Sequence, residues 1–261
     1  MAQPLVVLVD KTGKIRQSSL NAVAHAVNIQ VNRDLKQFWP VEGRVMALAK
    51  HGVVPGGAWP VFIGHDLEMG KAGCHSASHG NPFACVDYDT GWQVAVSHEV
   101  CEMLVDPTLR DFKLAREIKL EDGVIKDGTK QVEYLIEICD PSEHPDYGYT
   151  IENVAVSDFI TPAYYDDELT NGTQYSFTKA IVHPRQVRPG GYLSWRDPEN
   201  GKCHQLDWVR QAEPKMIDLD WVPPEMRLSR HHIDQHMQTT KGLSRVHHQH
   251  PLMMKTHHFR H

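Results

Sequence analysis

The first expectations come from where apolar residues fall along the chain. Residues 5–9 (Leu-Val-Val-Leu-Val) form a continuous apolar run ending at Asp10, the pattern of a strand buried on both faces. Asp10-Lys11-Thr12-Gly13-Lys14 supplies a turn. Ser18 or Ser19 then offers a cap for a helix, whose apolar positions Leu20, Val23, Ala24, Val27, Val31 and Leu35 recur at helical spacing to about Phe38, with Pro40 just beyond. Residues 44–88 read as short strands at 45–48, 59–63 and 83–86, with Gly- and Pro-marked turns at 70–73 and 80–82 between them. A second helix is expected from Asp89 or Thr90 to Val105, with Pro107 close behind. Residues 132–138 and 154–160 are further strand candidates. The stretch 161–225, rich in Gly, Pro, Trp and Tyr, reads as loops and short strands.

The second helix departs from amphipathic patterning. Val94, Ala95, Val96, Val100, Met103, Leu104 and Val105 make it apolar on nearly every side, so it should be buried. Yet His98, Glu99 and Glu102 sit in its middle. Buried carboxylates cost on the order of several kcal/mol unless they are paired or bind a metal. His98 and Glu102 are four residues apart and leave the same helix face, so both can grip one ion. Glu99, one step round, reads as a general base for water activated at that ion. The bland alternative is a core helix whose polar groups form an internal ion-pair network.

A metal needs at least a third protein ligand. Glu137 and Asp140, at the end of the run Tyr134-Leu135-Ile136-Glu137-Ile138-Cys139-Asp140-Pro141, are the alternatives. A regular strand would turn Cys139 to the face opposite Asp140. Asp106 reads as a supporting acceptor near the helix end. His75 and His79, between glycines, read as solvent-exposed loop histidines. Trp195 and Trp208 read as core.

Composition narrows the class only slightly. The chain has 261 residues, 41% of them hydrophobic, and a net charge of −6; it is long enough to bury a core without staples. The five cysteines are scattered and form no C-x-x-C pair, which argues against a disulfide framework and for a reducing interior. The N-terminus reads as a strand and not a signal peptide, no apolar run approaches a membrane span, and no basic-aromatic stripe points to nucleic acid. From Arg227 onward six Lys/Arg face one acid, Asp234, a local charge of +5 that leaves −11 on the rest. Nine of the 18 histidines lie between His231 and His261. The expected organisation is therefore a domain over 1–225 and a basic, His-rich tail over 226–261.

The order of motifs resembles bacterial and phage proteins that carry a zincin-like pattern with an H-E-x-x-E helix motif. The specific parts are Ser97-His98-Glu99-Val100-Cys101-Glu102-Met103-Leu104-Val105-Asp106-Pro107 and Glu137-Ile138-Cys139-Asp140-Pro141, supported by Gly57-Ala58-Trp59, Val156-Ser157-Asp158-Phe159 and Gly190-Gly191-Tyr192. The resemblance implies a zincin-like α+β domain: a twisted mixed sheet, an N-terminal backing helix and a buried ligand helix. In zincin metalloproteases the helix carries H-E-x-x-H. Glu102 in the second ligand position makes this site harder and more anionic, open to divalent ions besides zinc. Two functional expectations follow. One is a zinc- or other divalent-metal-dependent hydrolase of the metallopeptidase kind, acting on a protein or peptide. The other is a structural component of a phage virion or similar assembly, with the tail contacting neighbouring subunits. The corresponding locations are the cytoplasm or the virion.

Overall fold

The computed structural model describes residues 3–65, 73–78, 80–89, 91–209 and 212–218. His79 and the 226–261 tail lie outside these residues. The fold is mixed α+β, with two five-stranded sheets, a small hairpin and few helices. Among the described residues, no helix is long and apolar enough to cross a membrane.

The first sheet is built from β1 (Leu5–Asp10), β2 (Arg44–Ala47), β3 (Trp59–Gly64), β4 (Gly73–Ser78) and β5 (Asn81–Asp87), in the order β2-β1-β3-β5-β4. β1, β2, β3 and β5 run parallel, whereas β4 pairs antiparallel with β5 at the edge. β1 is an interior strand covered on both faces, which explains its unbroken apolar run: Val6 and Leu8 face the helices, while Val7 and Val9 pack on the opposite face with Phe62, Phe83 and Cys85.

α1 (Gln17–Ile29) backs this sheet through Leu20, Val23, Ala24 and Val27. Its N-cap is Arg16, without a side-chain cap, so neither Ser18 nor Ser19 has the expected role. The helical path continues to Gln37, but as a π-turn over Gln30–Asp34 and a 3-10 turn over Leu35–Gln37. The π-turn's Gln30 is fully buried.

α2 (Trp92–Val105) lies between two cores. Val96, Val100, Met103 and Leu104 pack toward the first sheet; Cys101 and Val105 join the cluster built on the second. Burial on both sides is the structural reason for its all-round apolar sequence.

The second sheet starts with β6 (Phe112–Glu121) and β7 (Val124–Leu135), a long hairpin turning at Asp122 and Gly123, both with positive φ, as a two-residue type I′ connection requires. The strand expected over 132–138 is thus part of a longer one that ends at Leu135. A small hairpin, β8 (Tyr149–Ile151) and β9 (Val154–Val156), turns at Glu152 and Asn153 in the same manner, so strand structure ends well short of Ile160. The loop-rich region supplies β10 (Tyr192–Arg196), β11 (Cys203–Asp207) and β12 (Lys215–Asp218), completing an antiparallel sheet in the order β12-β11-β10-β7-β6. Trp195 is core, against Tyr134 and the His204 ring, and Trp208 is partly buried at the same cluster.

One polar network ties α2 to its surroundings. Ser97 Oγ donates to Gln30 Oε1 (2.7 Å) and accepts from the Ser157 N–H (2.8 Å), while Gln30 Nε2 donates to the Ser157 carbonyl (2.8 Å). Ser97→Ala strands two buried partners, Gln30 Oε1 and the Ser157 N–H. It should cost about 2–4 kcal/mol in urea unfolding; a loss within ~0.5 kcal/mol would show that the network contributes little.

Candidate metal centre

Helix α2, the edge strand β4 and one turn converge on a single buried cluster. α2 contributes His98, Glu99 and Glu102, none more than 7% exposed. After β7 ends at Leu135, the chain bends and carries Glu137, Cys139 and Asp140 across α2 into a 3-10 turn, Asp140–Ser142. β4 contributes His75.

The contacts are close. His98 Nε2 lies 3.2 Å from Glu102 Oε2 and 3.1 Å from Asp140 Oδ1. The Cys139 N–H donates to Glu102 Oε1 at 3.0 Å. His75 Nδ1 lies 3.5 Å from Glu99 Oε2 and 3.6 Å from Glu102 Oε2. Among the described residues, three sets have donor atoms near enough to hold an ion: His98, Glu102 and Cys139; His75, Glu99 and Glu102; and Glu102, Glu137 and Asp140. Glu102 belongs to all three.

Two of the sequence expectations change. His75 is not a solvent-exposed loop residue; it is 5% exposed, on a strand, and directed at the carboxylates of α2. Cys139 is not turned away from the site, because residues 136–139 do not continue the strand. Its thiol also donates to the His98 carbonyl at 3.8 Å. His98, Glu99, Glu102, Glu137 and Asp140 are all brought together. Asp106 closes the turn after α2, accepting from the Arg110 and Asp111 N–H groups at 3.1 Å each.

The surroundings explain how the groups are held. The carbonyls of Asp140 and Pro141 would lie 2.6 and 2.5 Å from a Cβ at position 191, so only glycine lets the chain just before β10 approach the 3-10 turn at Asp140–Ser142. The Arg188 N–H donates to the Pro141 carbonyl (2.9 Å), and Ser142 Oγ donates to buried Asp158 (2.9 Å), which also accepts from the Thr178 N–H (2.8 Å). Asp158 and Gly191 were visible only as members of the motif pattern. Tyr165 was missed: it is buried beside Glu137, Glu102 and Asp140 and donates to the Leu135 carbonyl (3.1 Å). A tyrosine in a loop-rich stretch carries no sequence signal for such a place.

The electrostatics follow from burial and charge. For His98, burial opposes the charged ring, but Glu102, then Asp140, outweigh it and hold its pKa well above the usual value. For Glu102, burial is again outweighed, here by His98, and the carboxyl is held well below its usual range. Glu99 shifts upward because burial exceeds the opposing effects of His75 and His98. Burial and the nearby carboxylates push the Tyr165 phenol well up, so it stays neutral.

This donor set fits a divalent cation. Buried His, Glu, Asp and Cys groups here could hold a metal ion. Ligand bonds of about 2.0–2.1 Å in a tetrahedral site place neighbouring donors about 3.3 Å apart, close to the 3.1 and 3.2 Å separations around His98 Nε2. No family model matches this chain, and no curated protein and no solved structure matches it.

Proposed function

We propose that this chain is a zincin-like, divalent-metal-dependent hydrolase of peptide or related amide bonds, with zinc as the first candidate ion. The observation that carries this reading is the placement of Glu102 and Asp140 within 3.2 Å of His98 Nε2, with Glu99 one residue round the same buried helix. The ligands of choice are His98, Glu102 and Asp140, with Glu137 behind Glu102. The mixed sheet, its antiparallel edge strand β4 and the buried α2 support the zincin-like fold assignment.

A bound divalent cation supplies Lewis acidity toward a carbonyl and toward water. The chain's own groups do the rest. Glu99 accepts the proton of the attacking water. Burial raises its pKa, which strengthens it as a base toward the water and lets it return the proton to the leaving amine. His75 sits beside Glu99 and stabilises its carboxylate before it takes up that proton and after it returns it. Glu102, fixed by the Cys139 N–H, keeps His98 oriented. Gly73 leaves room for Glu99: a Cβ there would stand 2.5 Å from Glu99 Oε1.

Purified protein should retain divalent metal through gel filtration, read by elemental analysis. Glu99→Gln should keep the ion held by His98, Glu102 and Asp140 and reduce peptide or amide hydrolysis by at least about 100-fold. A folded protein that binds no divalent metal would overturn the reading.

A further inference from the structure

One ion leaves much of the cluster unused. His98, Glu102 and Asp140 suffice for a single site. His75, Glu99 and Glu137 remain, each no more than 6% exposed. His75, Glu99 and Glu102 form a donor set of their own, and it shares Glu102 with the trio proposed above. The shared atom is Glu102 Oε2, 3.2 Å from His98 Nε2 and 3.6 Å from His75 Nδ1. Glu102 Oε1 is meanwhile held by the Cys139 N–H, so Oε2 is the oxygen free to touch both sets.

We propose that the centre binds two divalent cations bridged by Glu102, the first on His98 and Asp140 and the second on His75 and Glu99. The proposal rests on the metal reading above and extends it.

Charge favours the second ion. Glu99, Glu102, Glu137 and Asp140 are four carboxylates in one buried cluster, and imidazoles ligate only when neutral. One divalent cation leaves two negative charges in the interior, and a second removes them. Glu99 is shaped for the role. Its buried Oε2 accepts no hydrogen bond of good geometry, although His75 Nδ1 stands 3.5 Å away. Its Oε1 lies where a side chain at position 73 would collide. Gly73 and His75 share one face of β4, so the same edge strand clears space for the carboxylate and brings an imidazole to it. Glu99 then offers Oε2 to the second ion and keeps Oε1 for proton transfer. A set of one imidazole and two carboxylates is hard enough for Mn2+ as well as Zn2+.

Mn2+ is the probe of choice, because the His-rich tail favours softer ions. Full-length, chelator-stripped protein is titrated with Mn2+ and followed by electron paramagnetic resonance. The wild type should saturate at about two ions per chain and show the multiline signal of a spin-coupled pair, since two-metal sites hold their ions about 3.5–4 Å apart. His75→Ala should keep about one bound ion and show only an isolated Mn2+ signal. Bound but uncoupled Mn2+ in the wild type overturns the pair and leaves the single-metal reading standing. No bound ion in folded wild type overturns both. A coupled signal in His75→Ala also overturns the pair. The wild-type spectrum decides even where the variant fails to fold.

Discussion

Glu102→Gln is expected to weaken divalent-metal binding by more than about 100-fold and to abolish the thermal stabilisation that metal confers. Loss of supporting contacts around a metal ligand already costs about 10–100-fold, and Glu102 belongs to every donor set in the cluster. Glutamine keeps the volume, and its carbonyl can still accept from the Cys139 N–H that Glu102 Oε1 now satisfies. The fold should therefore survive, and the lost charge is the main change. Metal at about 100-fold above its Kd stabilises a site by about 2.7 kcal/mol, roughly 5–10 °C in Tm for a chain of this size. Thermal melts with and without chelator should show that difference in the wild type and almost none in the variant. Equal metal-dependent shifts in both proteins would remove Glu102 from the ligand set. Glu102→Ala is the harsher change: it strands the Cys139 N–H and leaves His98 with Asp140 alone, a break of buried pairing worth about 3–5 kcal/mol.

Helix α2 was legible because its pattern contradicts itself. A helix apolar on all sides that carries His98, Glu99 and Glu102 must place them somewhere dry, and α2 does so between two cores. β1 and β3 were legible as apolar runs for the same reason of double burial. The edge strand was not. Gly73-Cys74-His75-Ser76-Ala77-Ser78 has little apolar content; its strand state comes from pairing with β5, where Cys74 faces Cys85 and His75 faces Ala84. Composition could not signal a partner supplied by the sheet, and so His75 reads as loop. The β6–β7 hairpin hid behind polar residues because much of it faces solvent; Leu114 is 64% exposed. Its clearest sign was Asp122-Gly123, a turn chemistry and not a periodicity. The bend after Leu135 is set by tertiary contacts, the Ile160 N–H on the Ile138 carbonyl and Gly191 against the Asp140 and Pro141 carbonyls. Strand alternation therefore misplaced Cys139, whereas the choice of Glu137 and Asp140 did not depend on alternation. The π-turn at Gln30 leaves no periodic trace at all, yet it delivers the side chain that anchors Ser97.

Metal affinity is expected to rise with pH, by up to about tenfold per unit for each proton that an incoming ion must displace. In the metal-free chain His98 binds its proton more tightly than a free imidazole does. Burial works against its charge, but Glu102, then the hydrogen bond with Asp140, hold the pKa well above 6.5. A metal takes only the neutral ring, so each ion bound at His98 releases that proton. The sign for stability is opposite in the metal-free state. A histidine with a raised folded pKa contributes stability that is complete below its unfolded pKa, near 6.5, and is lost as pH climbs through the folded value. Chelated protein should therefore lose Tm as pH rises above about 6.5, while the gain on adding metal grows over the same interval. Competition against a chelator of known affinity at pH 6, 7 and 8, paired with melts in both states, measures the two trends. An affinity that stays flat across that range would mean that no proton leaves when metal enters, and His98 could not then be its ligand.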